Sequence, residues 1–458
     1  MVLSELFDLF VKHSPVTVMV RATMENALAA DRLNALFART AIRQRPSELL
    51  FSLVADLMGT VVCGVRPSMH AAFQARSDEI GVSINAVYDK LKKIEPHVIR
   101  ELVCDSSAQL GAIIDSIGVP SSSWLPGYRV KILDGNHLPR SERRLKELRV
   151  LNAAPLPGQS LVVLDPARML AIDVFPCEDG HAQERSLLGQ VLSTIELNDL
   201  IIADRNFATM DFLAGIAERQ AAFIIRQHGG SLRWELVGRR RRVGRTATGV
   251  VYEQAMRLLP TEGEPGLIRR ITLELDRATR DGDTEIHILT DLPESVEAST
   301  VAELYRNRWT IETAFQELEA THEGELQMLC YPRAALFAFA MALVAYNVLS
   351  TVKAGLRKEH GAQKIDQEVS AYYLADEVAG TWRGMMIALP AEYWSERFAE
   401  RTPAELAQFL CETAKYIRLA AFRKHPRGPK RPPPKMNKKH RGHVSTARIL
   451  EQRSKTKK

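Results

Sequence analysis

Cysteine is scarce in this chain and poorly placed for cross-linking. Cys63, Cys104, Cys177, Cys330 and Cys411 are scattered, odd in number and never paired as CxxC. That argues against a disulfide framework or a zinc finger and points to a reducing compartment. Long apolar runs are lacking too. The most apolar stretch, 334–344 extended by Ala345 and Tyr346, is shorter than a membrane span and mixes alanines with Phe337, Phe339, Met341 and Leu343. A buried helix is expected there. At the start, Glu5 and Asp8 interrupt the first apolar residues, so no secretory signal is expected. There is no internal repeat. With 46% hydrophobic and 25% charged residues over 458 positions, the composition is globular and the length suits about two to four domains.

Acid is almost absent from the C-terminal end. From Arg423 onward lie 14 of the 61 Lys/Arg but only one of the 55 Asp/Glu, Glu451. This tail carries +13 and everything before it −7, within a net charge of +6. An acidic body with a basic tail implies either a polyanion engaged by the tail or a solvated tail that aids solubility. Pro432-Pro433-Pro434 and Lys438-Lys439 lie in it without any apolar period, the pattern of a segment disordered when free.

Residues 1–125 read as helical, with apolar side chains at helical spacing through Leu49, Leu50, Leu53, Val54 and Leu57 and again through Ile84, Val87 and Leu91. Pro120, Ser121-Ser122-Ser123 and Pro126-Gly127 then mark a boundary. The period changes beyond it. Strand-like runs at 128–133, 160–164 and 169–175 precede a helical stripe over 181–195 and an all-apolar strand at 200–203. A second β-rich stretch, 223–292, has runs at 223–225, 232–237, 250–252, 268–275 and 286–289, with Arg239 to Arg242 as a basic knot between two of them. It reads as an insertion. One strong helix is expected over 301–320, and helical pattern continues to about 420.

Two acids stand where strands are expected to end: Asp134 after Leu133, and Asp204 after Ala203. Strand ends of an open α/β sheet form the crevice where sites are built. A carboxylate leaving an apolar strand is costly unless neutralised, and a divalent cation neutralises it; a turn or capping aspartate is the plainer alternative for either acid alone. A third acid tips the balance. Tyr305, Arg308 and Glu312 recur at spacings of three and four, with Gln316 and Glu319 further along the same face, while Leu304, Ile311, Phe315 and Leu318 form a separate apolar stripe. One stripe packs on the sheet while the other looks into the crevice.

In that order, Asp134, Asp204 and Glu312 resemble the DDE triad of bacterial insertion-sequence transposases. Tyr305-x2-Arg308-x3-Glu312 is similar to the YREK signature of the insertion-sequence-four group. The resemblance covers about 130–350 and departs from the signature at its last member, where Glu319 replaces a lysine. The phosphate contact implied for that lysine is not transferred to Glu319. The implied fold is α/β: an RNase H-like catalytic core at 126–222 and 293–355, interrupted by a β-rich insertion at 223–292. An all-helical N-terminal domain (1–125), C-terminal helices (356–422) and a basic tail (423–458) flank it.

The implied function is cut-and-paste DNA transposition, in which two Mg²⁺ or Mn²⁺ ions held by Asp134, Asp204 and Glu312 support cleavage and strand transfer. Hard oxygen donors and the absence of a Cys/His cluster in sequence favour those ions over zinc. The implied partners are double-stranded DNA, as terminal inverted repeats and target, and a second copy of the chain in a synaptic homodimer. The implied setting is the bacterial cytoplasm and nucleoid, without a membrane. Arg308 suits a forked phosphate contact and Tyr305 a hydrogen bond or base stacking, while Trp309 divides between DNA and core. Arg205 and Asn206, beside Asp204, join the DNA-contact set. In 83–93, Ser83 caps a helix with Val87 and Leu91 inward and Asn85, Lys90, Lys92 and Lys93 offered to DNA; a plain helical bundle reads as well. Lys430, Arg431, Lys438 and Lys439 represent the tail. A stand-alone nuclease on the same core, or a non-catalytic regulator derived from such an enzyme, are the alternatives.

Overall fold

The structure, a computed structural model, describes residues 2–44, 48–119, 124–138, 158–180, 182–230, 232–259, 266–279, 282–321, 329 and 331–425. It falls into a compact unit, Met1–Arg423, and a second unit, Lys424–Lys458. Nearly all of the second, including Lys430, Arg431, Lys438 and Lys439, lies outside the described residues.

Helices come first: α1 (Val2–His13), α2 (Pro15–Ala27), α3 (Ala30–Thr40), α4 (Phe51–Val62), α5 (Met69–Gln74), α6 (Ile84–Leu91) and α7 (Pro96–Ile117). The sheet region follows with β1 (Arg129–His137), β2 (Gln159–Asp165), β3 (Leu170–Cys177), α8 (Leu188–Leu192), β4 (Asp199–Ala203), α9 (Met210–Glu218) and β5 (Ala222–Arg226). Four further strands, β6 (Trp234–Thr246), β7 (Gly249–Leu258), β8 (Gly266–Leu275) and β9 (Glu285–Thr290), lead into α10 (Ala298–Arg306) and α11 (Trp309–Thr321). The chain then runs through α12 (Pro332–His360), α13 (Ala362–Glu368), α14 (Ala371–Ala388), α15 (Ala391–Phe398) and α16 (Pro403–Ala414). The expected mixed α/β class is what forms.

Among the described residues nine strands make one sheet, in the order β3-β2-β1-β4-β5-β9-β8-β7-β6. β1, β4 and β5 are parallel and the other pairings antiparallel. Strand alternation sends Ile132, Ile202 and Ile224 into the core shared with α7 and α12, and Leu133, Ala203 and Ile225 to the opposite core beneath α8 and α9. Several expectations change here. β1 continues through Asp134 to His137 instead of stopping at Leu133. The run at 223–225 forms β5, which pairs in parallel with β4 and so joins the sheet of the preceding strands rather than the expected β-rich insertion. β9, β8, β7 and β6 extend that same sheet through the β5–β9 pairing. Arg239 to Arg242 lie within β6, not between strands. The expected helix over 181–195 shrinks to a 3-10 turn, Glu184–Leu187, and the short α8.

The apolar stretch after 331 becomes α12, 29 residues long and the one described helix apolar enough to cross a membrane; its most apolar 18-residue window is wholly buried. It is a core helix, packed against α7, α2, α4, α16 and β3. Asn347, fully buried at its centre, ties it to the sheet. Its Oδ1 accepts from the Ala171 N–H and its Nδ2 donates to the Ala171 carbonyl, both at 2.8 Å. Ala171 sits where the β2–β3 register shifts, so the asparagine satisfies backbone groups that a bulge frees from the ladder. N- and C-terminal helices share one core: Phe7 of α1 packs against Tyr393, Trp394, Phe398 and Phe409.

Candidate active site

Register brings the first two acids together. In the parallel strands Leu133 pairs with Ala203 and Ala203 with Ile225. The next residues along the sequence are Asp134, Asp204 and Arg226, so three charged residues stand in one row, Asp134 within β1, Asp204 just past β4 and Arg226 at the end of β5, with neighbouring strands about 4.8 Å apart. Asp204 begins a 3-10 turn, Arg205–Phe207, and its side chain caps nothing there. The capping alternative for this residue therefore does not hold.

The third acid arrives on a broken helix. The expected single helix over 301–320 is interrupted at Asn307-Arg308, ending α10 and starting α11 at Trp309. At the break the Arg308 side chain turns inward and is only 7% exposed. Its Nη1 donates to Asp134 Oδ2 at 3.1 Å and its Nη2 to Glu312 Oε1 at 2.7 Å. Tyr305, buried on α10, donates from Oη to Asp204 Oδ1 at 3.5 Å. Asp134, Asp204, Tyr305, Arg308 and Glu312 thus each touch another of the five.

Burial pushes the Asp134 carboxyl up to about 6. The Arg308 guanidinium and the Gly135 N–H, 2.9 Å from Oδ1, pull it down, while Glu312 and Asp204 raise it further. Burial likewise pushes the Tyr305 phenol up to about 12, reinforced by Asp204. Burial lowers the pKa of Arg308, but the combined pull of Tyr305, Asp134, Asp204 and Glu312 wins and leaves it above its usual value. Three carboxylates facing one guanidinium leave an excess of negative charge. The donor set is all oxygen and suits a hard divalent cation. Among the described residues no three of His, Cys, Asp and Glu are grouped closely enough to hold an ion, since the guanidinium stands between Asp134 and Glu312. Arg308 Nε is buried without a partner.

Residues 160–348 match the family model described as Transposase DDE domain. The chain carries a transposase DDE domain. The matched segment runs from β2 to the middle of α12 and contains Asp204, Tyr305, Arg308 and Glu312, while Asp134 lies on β1, upstream of it. Among solved structures, the chain is similar to a piggyBac transposase synaptic complex with hairpin DNA, at 10% identity and a TM-score of 0.41 over 87% of this chain and 85% of that one. No curated protein matches the sequence.

Around these three acids the other expected residues take different places. Arg205 and Asn206 are exposed beside Asp204, Asn206 Nδ2 donating to Glu184 at 3.4 Å. Trp309 is 62% exposed, which removes it from the core. Tyr305 is too enclosed to stack on a base. The capped helix forms as expected: Ser83 Oγ accepts from the Ala86 N–H at 3.4 Å, and Val87 and Leu91 are fully buried. Lys90 is a correction. Its helical position turns it inward, where its ammonium donates to the Leu49 carbonyl and lies 4.9 Å above the Phe37 ring, so it is not offered to DNA. Lys92 is half-buried, pairs with Asp89 at 3.0 Å and lies over Tyr331, and Lys93 is exposed.

Sequence reading missed two neighbours of the site. Arg226 completes the row of strand ends, pairs with Asp283 at 2.7 Å and acts electrostatically on Tyr305. Its signal was present, an apolar Phe223-Ile224-Ile225 run ending in a charge. Glu184 lies against Gly135, where any Cβ would collide with its carboxylate. No local pattern announces it, because its approach depends on the turn after β3.

Proposed function

We propose that this protein is a transposase of the insertion-sequence-four group that cleaves DNA at the ends of its own element and transfers the freed 3′ ends into target DNA. The convergence of Asp134, Asp204 and Glu312 around one buried arginine carries this reading, and the DDE domain match supports it. Asp134, Asp204 and Glu312 would hold two Mg²⁺ or Mn²⁺ ions, for which their oxygens are suited. When bound, such ions activate water or a 3′-hydroxyl and relieve charge on the phosphate.

The protein's own residues prepare for this. Arg308 neutralises Asp134 and Glu312 until DNA is present, and its fork then suits a phosphate. Tyr305 holds Asp204 in orientation from within the core. The apolar strands behind the acids keep bulk water from one side of the site. End recognition falls to the N-terminal helices, with Asn85 exposed on the capped helix and Lys93 exposed just past its end, and the active assembly is a DNA-bound homodimer.

The test uses a plasmid carrying the sequences that flank the protein's own coding region. Wild-type protein with Mg²⁺ is expected to cut at the inverted repeats. Asp134→Asn, Asp204→Asn and Glu312→Gln should each lower cleavage by several orders of magnitude while end binding, measured by gel shift, persists. Cutting without regard to the ends would mark a stand-alone nuclease; end binding without cleavage by wild type would mark a regulator.

A further inference from the structure

β6 is the last strand of the sheet, so one of its edges has no partner strand among the described residues. Such an edge invites pairing with another chain unless it is disrupted. Here the disruption is chemical and geometric. Arg239, Arg240, Arg241, Arg242 and Arg245 crowd this one strand, and all five are exposed. The β6–β7 register shifts between Val237 and Arg241 and again between Arg242 and Gly244, so one irregularity spans Arg239 and Arg240 and the next follows Arg242. Gly238 enters the first with φ +71°, a conformation that suits glycine.

The arginines are not equivalent. Arg240 lies 4.0 Å from the Tyr252 ring and pairs with Glu285 at 2.9 Å, and Arg245 pairs with Asp276 at 2.6 Å. Those two charges are compensated within the protein. Arg239, Arg241 and Arg242 have no acidic partner among the described residues. Edge protection alone needs one or two charges, and a bulge already supplies much of it. Three clustered, uncompensated guanidinium groups are more than that task requires.

Their position relative to the carboxylates is bounded by the fold. Gly244 of β6 lies against Ser299 of α10, and α10 leads directly to Arg308. Five strand residues back to Arg239 span about 17 Å, and nine helical residues on to Arg308 about 14 Å. Adding the gap where β6 meets α10, the arginines stand no more than about 35 Å from the site, which is one turn of duplex. We infer that Arg239, Arg241 and Arg242 form a phosphate-binding track that holds a duplex one turn or less from the point of cleavage. The inference rests on the proposed function and adds the surface outside the catalytic site that grips the DNA. Guanidinium forks without internal partners suit phosphate oxygens, and such a grip reads no sequence.

The test is the full chain carrying Arg239→Gln, Arg241→Gln and Arg242→Gln together. Its binding to a labelled duplex of arbitrary sequence, about three helical turns long, is followed by fluorescence anisotropy across a salt series. Every phosphate that the variant no longer neutralises should flatten the log–log slope by about 0.9, so three flatten it by about 2.7, with affinity falling at low salt. The triple lysine variant should restore most of the slope. Single glutamine variants, each taking about one third of the effect, cover the case in which the triple variant fails to fold. An unchanged slope in well-folded glutamine variants, with new aggregation instead, would overturn the track and leave an edge guard. Absence of all DNA binding by wild type would fail the proposed function instead.

Discussion

Asp134 carries an electrostatic cost that the fold tolerates because the site needs it. Burial lifts its carboxyl from 3.8 to about 6 despite the Arg308 guanidinium. A carboxyl whose folded pKa exceeds its unfolded value binds its proton more readily in the folded state. The penalty is therefore fully present above about pH 6 and is relieved as pH falls through 6 toward 3.8. Asp134→Asn should then stabilise the protein without added metal near neutral pH by up to about 3 kcal/mol, since each pKa unit is worth about 1.4 kcal/mol. Arg308 keeps Glu312 as a partner in that variant. Paired urea titrations at about pH 8 and about pH 4 would show the gain and its disappearance. A variant less stable than wild type at the higher pH would mean that the Arg308 pairing outweighs desolvation. Arg308→Gln should do the reverse, raising the Asp134 pKa further and destabilising the fold, because it removes the largest influence holding that carboxyl ionised.

Elements decide which of these residues can meet, and here the sequence was readable in part. Asp134 and Asp204 could be singled out because each follows an apolar run, although β1 runs on past Asp134 to His137, and the parallel register aligns the two positions. Spacing grouped Glu312 with Arg308 and Tyr305, although Tyr305 lies on α10, Glu312 on α11 and Arg308 at the break between them. The break at Asn307-Arg308 was not legible, since neither glycine nor proline marks it and only tertiary packing rewards turning the guanidinium inward. Lys90 went astray because periodicity around Val87 and Leu91 does not say how wide the buried stripe is. The strands between 232 and 289 were legible, but their attachment to the sheet of β1 to β5 was not, because strand order is set by non-local pairing. Asn347 illustrates the same limit: a polar residue inside an apolar run gives no hint of the bulge it serves 176 residues away in sequence. Asn347→Leu should leave the Ala171 N–H and carbonyl buried without partners and cost roughly 2–6 kcal/mol, at about 1–3 kcal/mol per unsatisfied group. Urea unfolding measures it, and a change under about 0.5 kcal/mol, the range of an ordinary surface substitution, would remove the asparagine from the sheet's support.

At the scale of the whole molecule, charge and compactness divide the chain at nearly the same point. The compact unit ends at Arg423, which bridges Val369 and lies 3.8 Å from Glu368, while the Phe422 carbonyl accepts from the Ser370 N–H at 2.8 Å. A deletion meant to probe the tail should therefore begin after His425, so that these closing interactions survive. The removed segment still holds twelve Lys/Arg and one Glu, while the body that remains is acidic, so the two parts should answer differently to polyanions. The truncated protein is expected to keep its melting temperature within about 2 °C, because surface changes away from buried features typically shift stability by no more than about 0.5 kcal/mol. Its affinity for all duplexes should fall by a similar factor, with a salt dependence flatter by about 0.9 for every phosphate the tail had neutralised. Calorimetry and the same anisotropy series as for the β6 arginines read the two quantities separately. A full slope after truncation would make the tail a solubility device and leave the β6 track as the stronger source of non-specific affinity. A selective fall in preference for element ends would mean that the tail reads sequence, against what a segment of lysine, arginine and proline without apolar pattern can provide on its own.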